Sequence, residues 1–492
     1  MKKCPEHDLL GGTTPIAAES PNIMTSYKLT ENTAAVKVLP GSWREVLTVS
    51  LPLMMSSGLW AVFHFVDRVF LSRYSPEALA ASMPAGILQY TIMAFFLGTI
   101  GFSSTFVAQY FGAARPERIG TVIIHGIYLA IPVGMLFTLL ASLSGPFFHA
   151  LGHGTTVADL ETQFFIALAW GALPLLCSAA LGGLYSGLGL TKHVFWVSGA
   201  GILGNIGLDY LLIFGNYGFP ELGIRGAGYA TSIASGLTCL LYVVLLFARG
   251  DHRRFKFSAG FKLDGDLMRR YLKFGVPGGG HQFLDVIGWT IFILILGRLG
   301  TEALAVSNAA FSINTLAFMP AVGFGIGAGI LVGQYLGANQ PDVAERAVQG
   351  AFKMAFGFMV LVAILFVVFP GLFLRPFTGS TSGAAILKQG TIILRIIALY
   401  TLFDTANVVY AFALRGAGDT SFIMKNFAVL TPICLILPVW LGIQFLGMGV
   451  YGAWGFAALF VCVLAVSFSI RFARGKWKQM RVIETQGLIR ET

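Results

Sequence analysis

The chain has 492 residues, of which 56% are hydrophobic and only 11% are charged, and its mean hydropathy is +0.75. A soluble domain carries about 25% charged residues, so the composition excludes a soluble globular protein and indicates one that crosses a membrane many times. The net charge of +10 is typical of basic loops that stay on the cytoplasmic side of a membrane, and it gives no indication of nucleic-acid binding.

Residues 1–40 are polar and contain Pro, Glu, Ser and Thr. Because the opening Met-Lys-Lys-Cys is not followed by an apolar run, we predict a disordered cytoplasmic leader and no signal peptide. The five cysteines are scattered and show no CxxC or CxH spacing, so neither a disulfide framework nor a zinc site is indicated. We expect no bound cofactor and no metal site, except that acids in the membrane could bind Na⁺.

Twelve mainly apolar stretches of about 20 residues or more are each long enough to cross a bilayer as a helix. Their approximate bounds are 45–71, 79–109, 121–143, 163–186, 194–214, 227–248, 272–297, 304–334, 350–373, 387–413, 422–445 and 451–471. The predicted fold is therefore an all-α polytopic membrane protein with twelve transmembrane helices.

Basic residues predict the topology. The loop at 249–273 has eight basic and three acidic side chains, and the tail after residue 471 is also basic, whereas the loop at 144–161 has no Lys or Arg. Short basic loops stay in the cytoplasm. We therefore predict a protein of the cell (inner) membrane with both termini in the cytoplasm, which requires an even number of spans.

The two halves of the chain repeat one another. The segment VAQYFGA at 107–113 recurs as VGQYLGA at 332–338, and Pro52 recurs as Pro277, in both cases 225 residues later. Six spans per half place both halves in the same orientation, so we predict two lobes related by a pseudo-twofold axis along the membrane normal. The predicted regions are a leader at 1–40, a six-helix lobe at 41–248, a basic linker at 249–271, a second six-helix lobe at 272–471 and a cytoplasmic tail at 472–492.

Four aspartates lie inside the predicted spans. A carboxylate at the centre of a bilayer costs at least ~2.5 kcal/mol, so each is a candidate functional residue. Asp67 and Asp209 lie near the outer ends of the first and fifth spans, and Asn205 shares a helix face with Asp209 because it lies four residues earlier. Asp285 and Asp404 lie near the midplane in the seventh and tenth spans.

We predict that these residues form two acidic clusters, one in each half. Paired carboxylates in a cavity of low dielectric constant bind a cation or share protons, and oxygen ligands suit Na⁺ as well as H⁺. Neutralising the acids would couple ion flow to a conformational change. His281 is one turn before Asp285 on the same helix face, and we predict that His281, Gln282 and Asn407 border the substrate cavity.

Each candidate also has a purely structural interpretation. Asp67 adjoins Arg68 and could belong to an ion pair at the membrane surface. Asp209 could cap a helix end. The two deeper aspartates have no basic neighbour in sequence, which favours a functional role for them. His281 is more often explained by packing or hydrogen bonding than by proton transfer.

Three segments carry a resemblance to a known family. These are the stretch LRGAGDT at 414–420, the element FVD at 65–67 and the segment VGQYLGA at 332–338. In order and spacing the chain resembles the multidrug and toxic compound extrusion (MATE) transporters over about residues 41–470. The resemblance implies a secondary antiporter that exports organic, often cationic, compounds in exchange for Na⁺ or H⁺ by alternating access.

The resemblance also implies site residues. In relatives, an aspartate of the first helix forms a cation or proton site with an Asn and an Asp of the fifth helix and a Thr of the sixth. The positions that match here are Asp67, Asn205, Asp209 and Thr231. Some relatives also use a Glu on the seventh helix and an Asp on the tenth, which match Asp285 and Asp404, the former one methylene shorter. Since both sets are present, the choice between Na⁺ and H⁺ stays open.

The alternative function in the same superfamily is a flippase of lipid-linked oligosaccharides or other lipid-like substrates. That function favours a strongly cationic cavity, but the predicted spans carry acids and few bases. The chain has no HExxH, GxSxG or Walker A motif, so we predict neither an enzyme nor an ATP-driven pump. Two separate clusters of acids argue against a channel. The expected partners are small organic molecules and the lipid bilayer, with no nucleic acid and no obligatory protein partner.

Overall fold

The computed structural model describes residues 39–152, 154–378 and 383–484. Within these ranges the chain is helical and contains no β-strand. The predicted leader at 1–40 lies almost entirely outside the described residues, as does the end of the predicted tail at 472–492. The all-helical fold class is therefore confirmed for the part of the chain that the structure describes.

In the described ranges, eleven helices are long and apolar enough to cross a membrane, and a pair of helices bent by 43° forms a twelfth span. The first six spans are α1 (Trp43–Tyr74), α2 (Pro76–Gly112), α3 (Pro116–Ala141), α4 (Thr155–Ala169 with Ala172–Gly187), α5 (Thr191–Phe214) and α6 (Ile224–Ala248). The second six are α7 (Gly265–Leu299), α8 (Thr301–Gly337), α9 (Pro341–Val368), α10 (Gly383–Ala417), α11 (Thr420–Leu446) and α12 (Val450–Ala473). The twelve predicted spans are confirmed.

Local sequence signals set where the helices begin and end. The Ser75 hydroxyl accepts a hydrogen bond from the backbone N–H of Ala78 at 2.9 Å, and the Asp264 carboxylate accepts one from Leu267 at 2.9 Å. Such N-caps each stabilise a helix start by about 1 kcal/mol. At the other end of α10, Gly418 has φ +99°, a conformation that favours glycine and turns the chain into α11.

One end of the bundle carries the basic segments 249–264 and 474–484, and we call it the basic end. The odd-numbered spans begin there and the even-numbered spans finish there. Two short helices, Asp251–Arg254 and Phe257–Gly260, lie between the lobes in sequence at this end. Helix α7 begins at Gly265, inside the region predicted as the linker.

Helix α1 changes partners along its length. Near the basic end Val46, Val49 and Leu53 belong to the hydrophobic core of the second lobe. Farther along, α1 packs against α5 of its own lobe. Because one helix joins both cores, a shift of one lobe against the other must change the surroundings of α1.

Helix α7 is the repeat equivalent of α1 and is arranged in the same way. Near the basic end its Tyr271 hydroxyl donates to the carbonyl of Ile100 in α2 at 2.6 Å. Farther along, Phe292 and Leu296 pack into the core of its own lobe. The helices that carry Asp67 and Asp285 are therefore the two helices shared between the lobes.

Candidate functional site

The polar residues predicted for the first lobe come together on three helices. Asp67 lies on α1, Asn205 and Asp209 lie on α5, and Thr231 lies on α6. Asp209 is fully buried and Asn205 is 2% exposed, whereas Asp67 is half-buried. Asp67 and Asp209 are close enough for their negative charges to repel one another. Helices α1 and α5 therefore meet where this pair of acids lies.

Asn205 connects this pair to α6. In the amide orientation that satisfies both neighbours, its Nδ2 donates to Asp209 Oδ2 at 2.8 Å and its Oδ1 accepts from the Thr231 N–H at 3.1 Å. The Thr231 hydroxyl donates to the carbonyl of Ala227 at 3.1 Å. The hydroxyl oxygen keeps lone pairs that can face a cation.

One oxygen of each acid in the first lobe lacks a donor. Within the described residues, Asp67 Oδ1 and Asp209 Oδ1 are buried and have no hydrogen-bond partner. Buried polar atoms in folded proteins are nearly always satisfied, and two carboxylates in one apolar site repel each other unless a proton or cation neutralises them. The first-lobe residues therefore supply oxygen ligands and negative charge to a site that can take up a cation or a proton.

The structure bears on the structural alternatives for these acids. Within the described residues Asp67 and Arg68 form no direct salt bridge, although the Arg68 charge lies close enough to act on Asp67. Asp209 lies within α5, which runs from Thr191 to Phe214, so it caps neither end of that helix.

The polar residues predicted for the second lobe also lie together. Asp404 on α10 is 7% exposed, and its Oδ1 accepts a hydrogen bond from Asn407 Nδ2 at 2.9 Å. Asp285 on α7 is close enough to Asp404 for the two negative charges to repel one another. Tyr400, one turn before Asp404, has a buried hydroxyl without a partner in the described chain. This tyrosine was not singled out from the sequence.

The remaining predicted cavity residues lie where α7 meets other helices. The His281 ring packs edge-to-face on Phe427 with centroids 4.5 Å apart, as expected for a packing residue. Gln282 packs against the first lobe, because its Oε1 would lie 2.8 Å from a Cβ atom at Gly98 of α2.

The lobes are joined at the basic end through the repeated segments at 107–113 and 332–338. Gln109 Nε2 donates to the carbonyl of Gly416 at 3.0 Å, and Gln334 Nε2 donates to the carbonyl of Gly187 at 2.8 Å. Each bond runs from one lobe to the other. The glutamines were recognised in the repeat, but sequence reasoning assigned them no role.

Two glycines allow this approach. A Cβ atom at Gly112 would clash with the Gln334 carbonyl oxygen, and one at Gly337 would clash with that of Gln109. A little farther from the basic end, Arg415 Nη2 donates across the lobes to the carbonyl of Gly98 at 3.1 Å. The backbones of α2 and α8 therefore cross in contact and close the space between the lobes at the basic end.

Comparison with known proteins identifies the family. The model of the MatE family matches residues 52–211 and 277–441, which together make up more than half of the chain. The chain belongs to the MATE family of efflux transporters. The two matches begin at the repeat-equivalent residues Pro52 and Pro277, so the family model finds the same two lobes as the internal repeat.

Curated MATE relatives match along most of their length. The chain is 28% identical over 415 residues to a protein of Bradyrhizobium diazoefficiens named probable multidrug resistance protein NorM, covering 83% of this chain and 88% of that one. It is 26% identical over 470 residues to a protein of the same name from Thermotoga maritima, covering 93% and 98%.

Solved MATE structures share the fold. An outward-facing conformation of a multidrug resistance MATE family transporter has a TM-score of 0.82 at 20% identity, covering 89% of this chain and 97% of that one. A transporter from Pyrococcus furiosus, described as having a binding pocket of reversed polarity that suggests a different function, has a TM-score of 0.81 at 21% identity with the same coverage. As a member of the MATE family, this chain is a multi-pass membrane transporter.

Proposed function

We propose that this MATE transporter is a secondary antiporter that exports organic, often cationic, compounds in exchange for Na⁺ or H⁺. The observation that carries the proposal is the pair of buried, unpartnered oxygens on Asp67 and Asp209. A transporter whose first lobe holds two mutually repelling acids gains binding energy from a cation or a proton. That energy can drive the export of a second solute.

We infer that the basic end faces the cytoplasm, because short basic loops are retained there. Both described chain ends then lie on the cytoplasmic side of the cell membrane. Because the lobes are closed at that end, we propose that the structure corresponds to an outward-open state. Modification of Lys192→Cys, an exposed position at the start of α5, by a membrane-impermeant maleimide tests this orientation, and labelling in intact cells would contradict it.

In the proposed cycle, the outward-open protein takes up Na⁺ or H⁺ at Asp67 and Asp209. Asp285 and Asp404 form a second candidate coupling site in the other lobe. Because α1 and α7 each pack against both lobes, neutralising their acids changes helices that also hold the basic end closed. The lobes then rock, substrate enters from the cytoplasm or the inner leaflet, and the reverse movement releases it outside.

The test is efflux of a fluorescent organic cation, ethidium, from proteoliposomes under a Na⁺ gradient and a pH gradient applied separately. We expect one gradient to drive efflux by the wild type, and we expect the Asp67→Asn and Asp404→Asn variants to lose it while inserting normally. Asp266→Asn is a matched control, because Asp266 is an exposed acid in the first turn of α7.

Full transport by both aspartate variants would overturn the coupling mechanism. Loss of gradient-driven efflux in only one of the two variants would assign coupling to the lobe that carries the substituted aspartate. Wild-type protein that responds to neither gradient would instead favour the flippase of a lipid-linked oligosaccharide or another lipid-like substrate.

A further inference from the structure

The last described residues, 480–484, lie across the basic end, and we call them the strap. The segment just before it is fixed to the second lobe. The Trp477 side chain is 1% exposed, stacks on Phe472 of α12 with ring centroids 4.8 Å apart and donates from Nε1 to the Phe472 carbonyl at 3.0 Å. Lys478 Nζ pairs with Glu345 of α9 at 2.6 Å. The strap therefore begins from an anchored position.

The middle of the strap is inserted between the lobes. The backbone N–H of Val482 donates to Gln109 Oε1 in α2 at 2.9 Å. Its side chain is 1% exposed, and a Cβ atom at Gly418 of the second lobe would lie 2.6 Å from its Cγ1. Val482 thus contacts the glutamine that already bonds across to Gly416.

The end of the strap binds a cluster of basic residues. The Glu484 carboxylate accepts hydrogen bonds from Arg115 Nη2, Arg270 Nη1 and the Tyr110 hydroxyl, each at 2.6 Å. Arg118 Nε lies 3.5 Å from Glu484 Oε1. Tyr110, Arg115 and Arg118 belong to the first lobe, and the first turns of α7, which carry Arg270, pack against the first lobe.

Glu484 is well suited to hold this cluster. Burial by itself raises the pKa of its carboxyl, but the hydrogen bond from Tyr110 and the charges of Arg270 and Arg115 lower that pKa to about 2. The side chain is therefore ionised at neutral pH. Hydrogen bonds to charged groups are stronger than neutral ones.

We propose that the strap is a conformational lock that holds the two lobes together at the basic end, and that Glu484 must leave the arginines before this end opens. The segment just before the strap is held to the second lobe, where Trp477 is buried against the adjoining helix α12. The strap itself contacts Gln109, Tyr110 and Arg115 of the first lobe. Because Trp477 stays with α12, separation of the lobes breaks the contacts of the strap with the first lobe. This inference rests on the alternating opening proposed above.

Pulsed electron paramagnetic resonance measures the separation of the lobes at the basic end, independently of transport. Spin labels on Lys192→Cys and Ser421→Cys report the separation of the lobes, because these residues occupy equivalent places in the repeat and both are exposed at the basic end. The native cysteines are replaced by alanine in this background. In Glu484→Gln we expect the ratio of long-distance to short-distance populations to rise about tenfold over the wild-type strap.

Glu117→Gln is the matched control. Glu117 Oε1 lies 4.0 Å from Arg115 Nε, so this variant removes a carboxylate from the same arginine without touching a contact between the lobes. Its distance distribution should equal that of the wild-type strap. A Glu484→Gln distribution that superimposes on that of Glu117→Gln overturns the proposal.

Ethidium efflux by the same proteins separates this inference from the proposed function. A longer distance in Glu484→Gln together with a wild-type protein that responds to neither gradient supports the lock and rejects the antiport. An unchanged distance rejects the lock, whatever the transport result.

Discussion

Gln109 and Gln334 make the same hydrogen bond in opposite directions between the lobes, but only Gln109 has its side-chain oxygen satisfied. Gln109 Oε1 accepts from the strap at Val482, whereas Gln334 Oε1 is buried and has no partner in the described ranges. The repeat therefore supplies two equivalent hydrogen bonds between the lobes, and the strap makes them unequal because it binds only Gln109. By binding one of the two glutamines, the strap can bias the opening of the whole basic end.

This asymmetry predicts different effects for Gln334→Leu and Gln109→Leu. We expect Gln334→Leu to weaken the closed state by about 1 kcal/mol, since it loses one interhelical hydrogen bond. Gln109→Leu should weaken it more, because it also leaves the Val482 N–H without its acceptor. The spin-label pair at positions 192 and 421 measures both. Equal effects, or a larger effect of Gln334→Leu, would contradict the inference that the strap makes the two glutamine contacts unequal.

Substitution of the crossing glycines should force the lobes apart. Gly112→Ala and Gly337→Ala each place a methyl group against a carbonyl oxygen of the opposite helix, and overpacking of this kind costs about 1–3 kcal/mol. We expect both variants to lower the melting temperature of the purified protein and to lengthen the distance at the basic end.

Gly357→Ala is the control for these variants. Gly357 lies in α9 and has nothing within 4 Å of an added Cβ, so alanine should leave stability unchanged or raise it through its higher helix propensity. Unaltered melting of Gly112→Ala and Gly337→Ala would show that the helices do not cross as closely as described.

The two asparagines beside the acids should set the affinity for the coupling ion. Asn205 has two partners, Asp209 and Thr231, and Asn407 donates to Asp404. If the first-lobe acids couple transport, Asn205→Ala should raise the ion concentration for half-maximal ethidium efflux by about tenfold, because hydrogen bonds to charged groups contribute about 1.5–3 kcal/mol. A similar rise in the ion concentration for half-maximal efflux in Asn407→Ala would assign coupling to the second lobe.

Asn426→Ala is the control for the loss of a hydrogen-bonded, partly buried amide. Asn426 Oδ1 accepts from Ser467 at 2.6 Å, and its Nδ2 donates to the Phe422 carbonyl at 2.9 Å. It should therefore change stability without changing the half-maximal ion concentration. Half-saturation that stays at the wild-type value in both Asn205→Ala and Asn407→Ala would contradict a coupling role for either site.

Glu484 should stay ionised under mildly acidic conditions. The pKa of Glu484 is lowered to about 2 in the folded state, so its contribution is present above the ordinary carboxyl pKa and is lost only as the pH falls toward the lowered value. We expect any change in the spin-label distance between pH 7 and pH 5 to be the same in the wild type and in Glu484→Gln. A lengthening that Glu484→Gln abolishes would show that protonation of this residue opens the lock in that range.

Much of the architecture could be predicted because it follows from local physics. A helix needs about 20 apolar residues to cross a bilayer, so the twelve spans were visible as runs of such residues. The segments VAQYFGA and VGQYLGA and the residues Pro52 and Pro277 are separated by the same 225 residues, and this common offset revealed the two lobes. Asp67, Asp209, Asp285 and Asp404 were noticed because a charge in an apolar span is costly.

The contacts between these elements could not be read in the same way. Glu484 looks ordinary in sequence, and it gains its role from residues far away in the chain. The Tyr110 and Glu484 side chains, for example, are 374 residues apart in sequence and 2.6 Å apart in space. No local pattern encodes such a pairing.

The sequence by itself determined a polytopic helical protein with a twofold repeat and acids inside the membrane, because hydropathy, spacing and charge are properties of single segments. Only the tertiary structure decided that Asp67 meets Asp209 across two helices, that α1 and α7 each join both cores, and that the strap lies across the basic end. These features depend on which helices pack together and at what register, and that choice is made by the summed fit of many side chains and glycine contacts along whole helices.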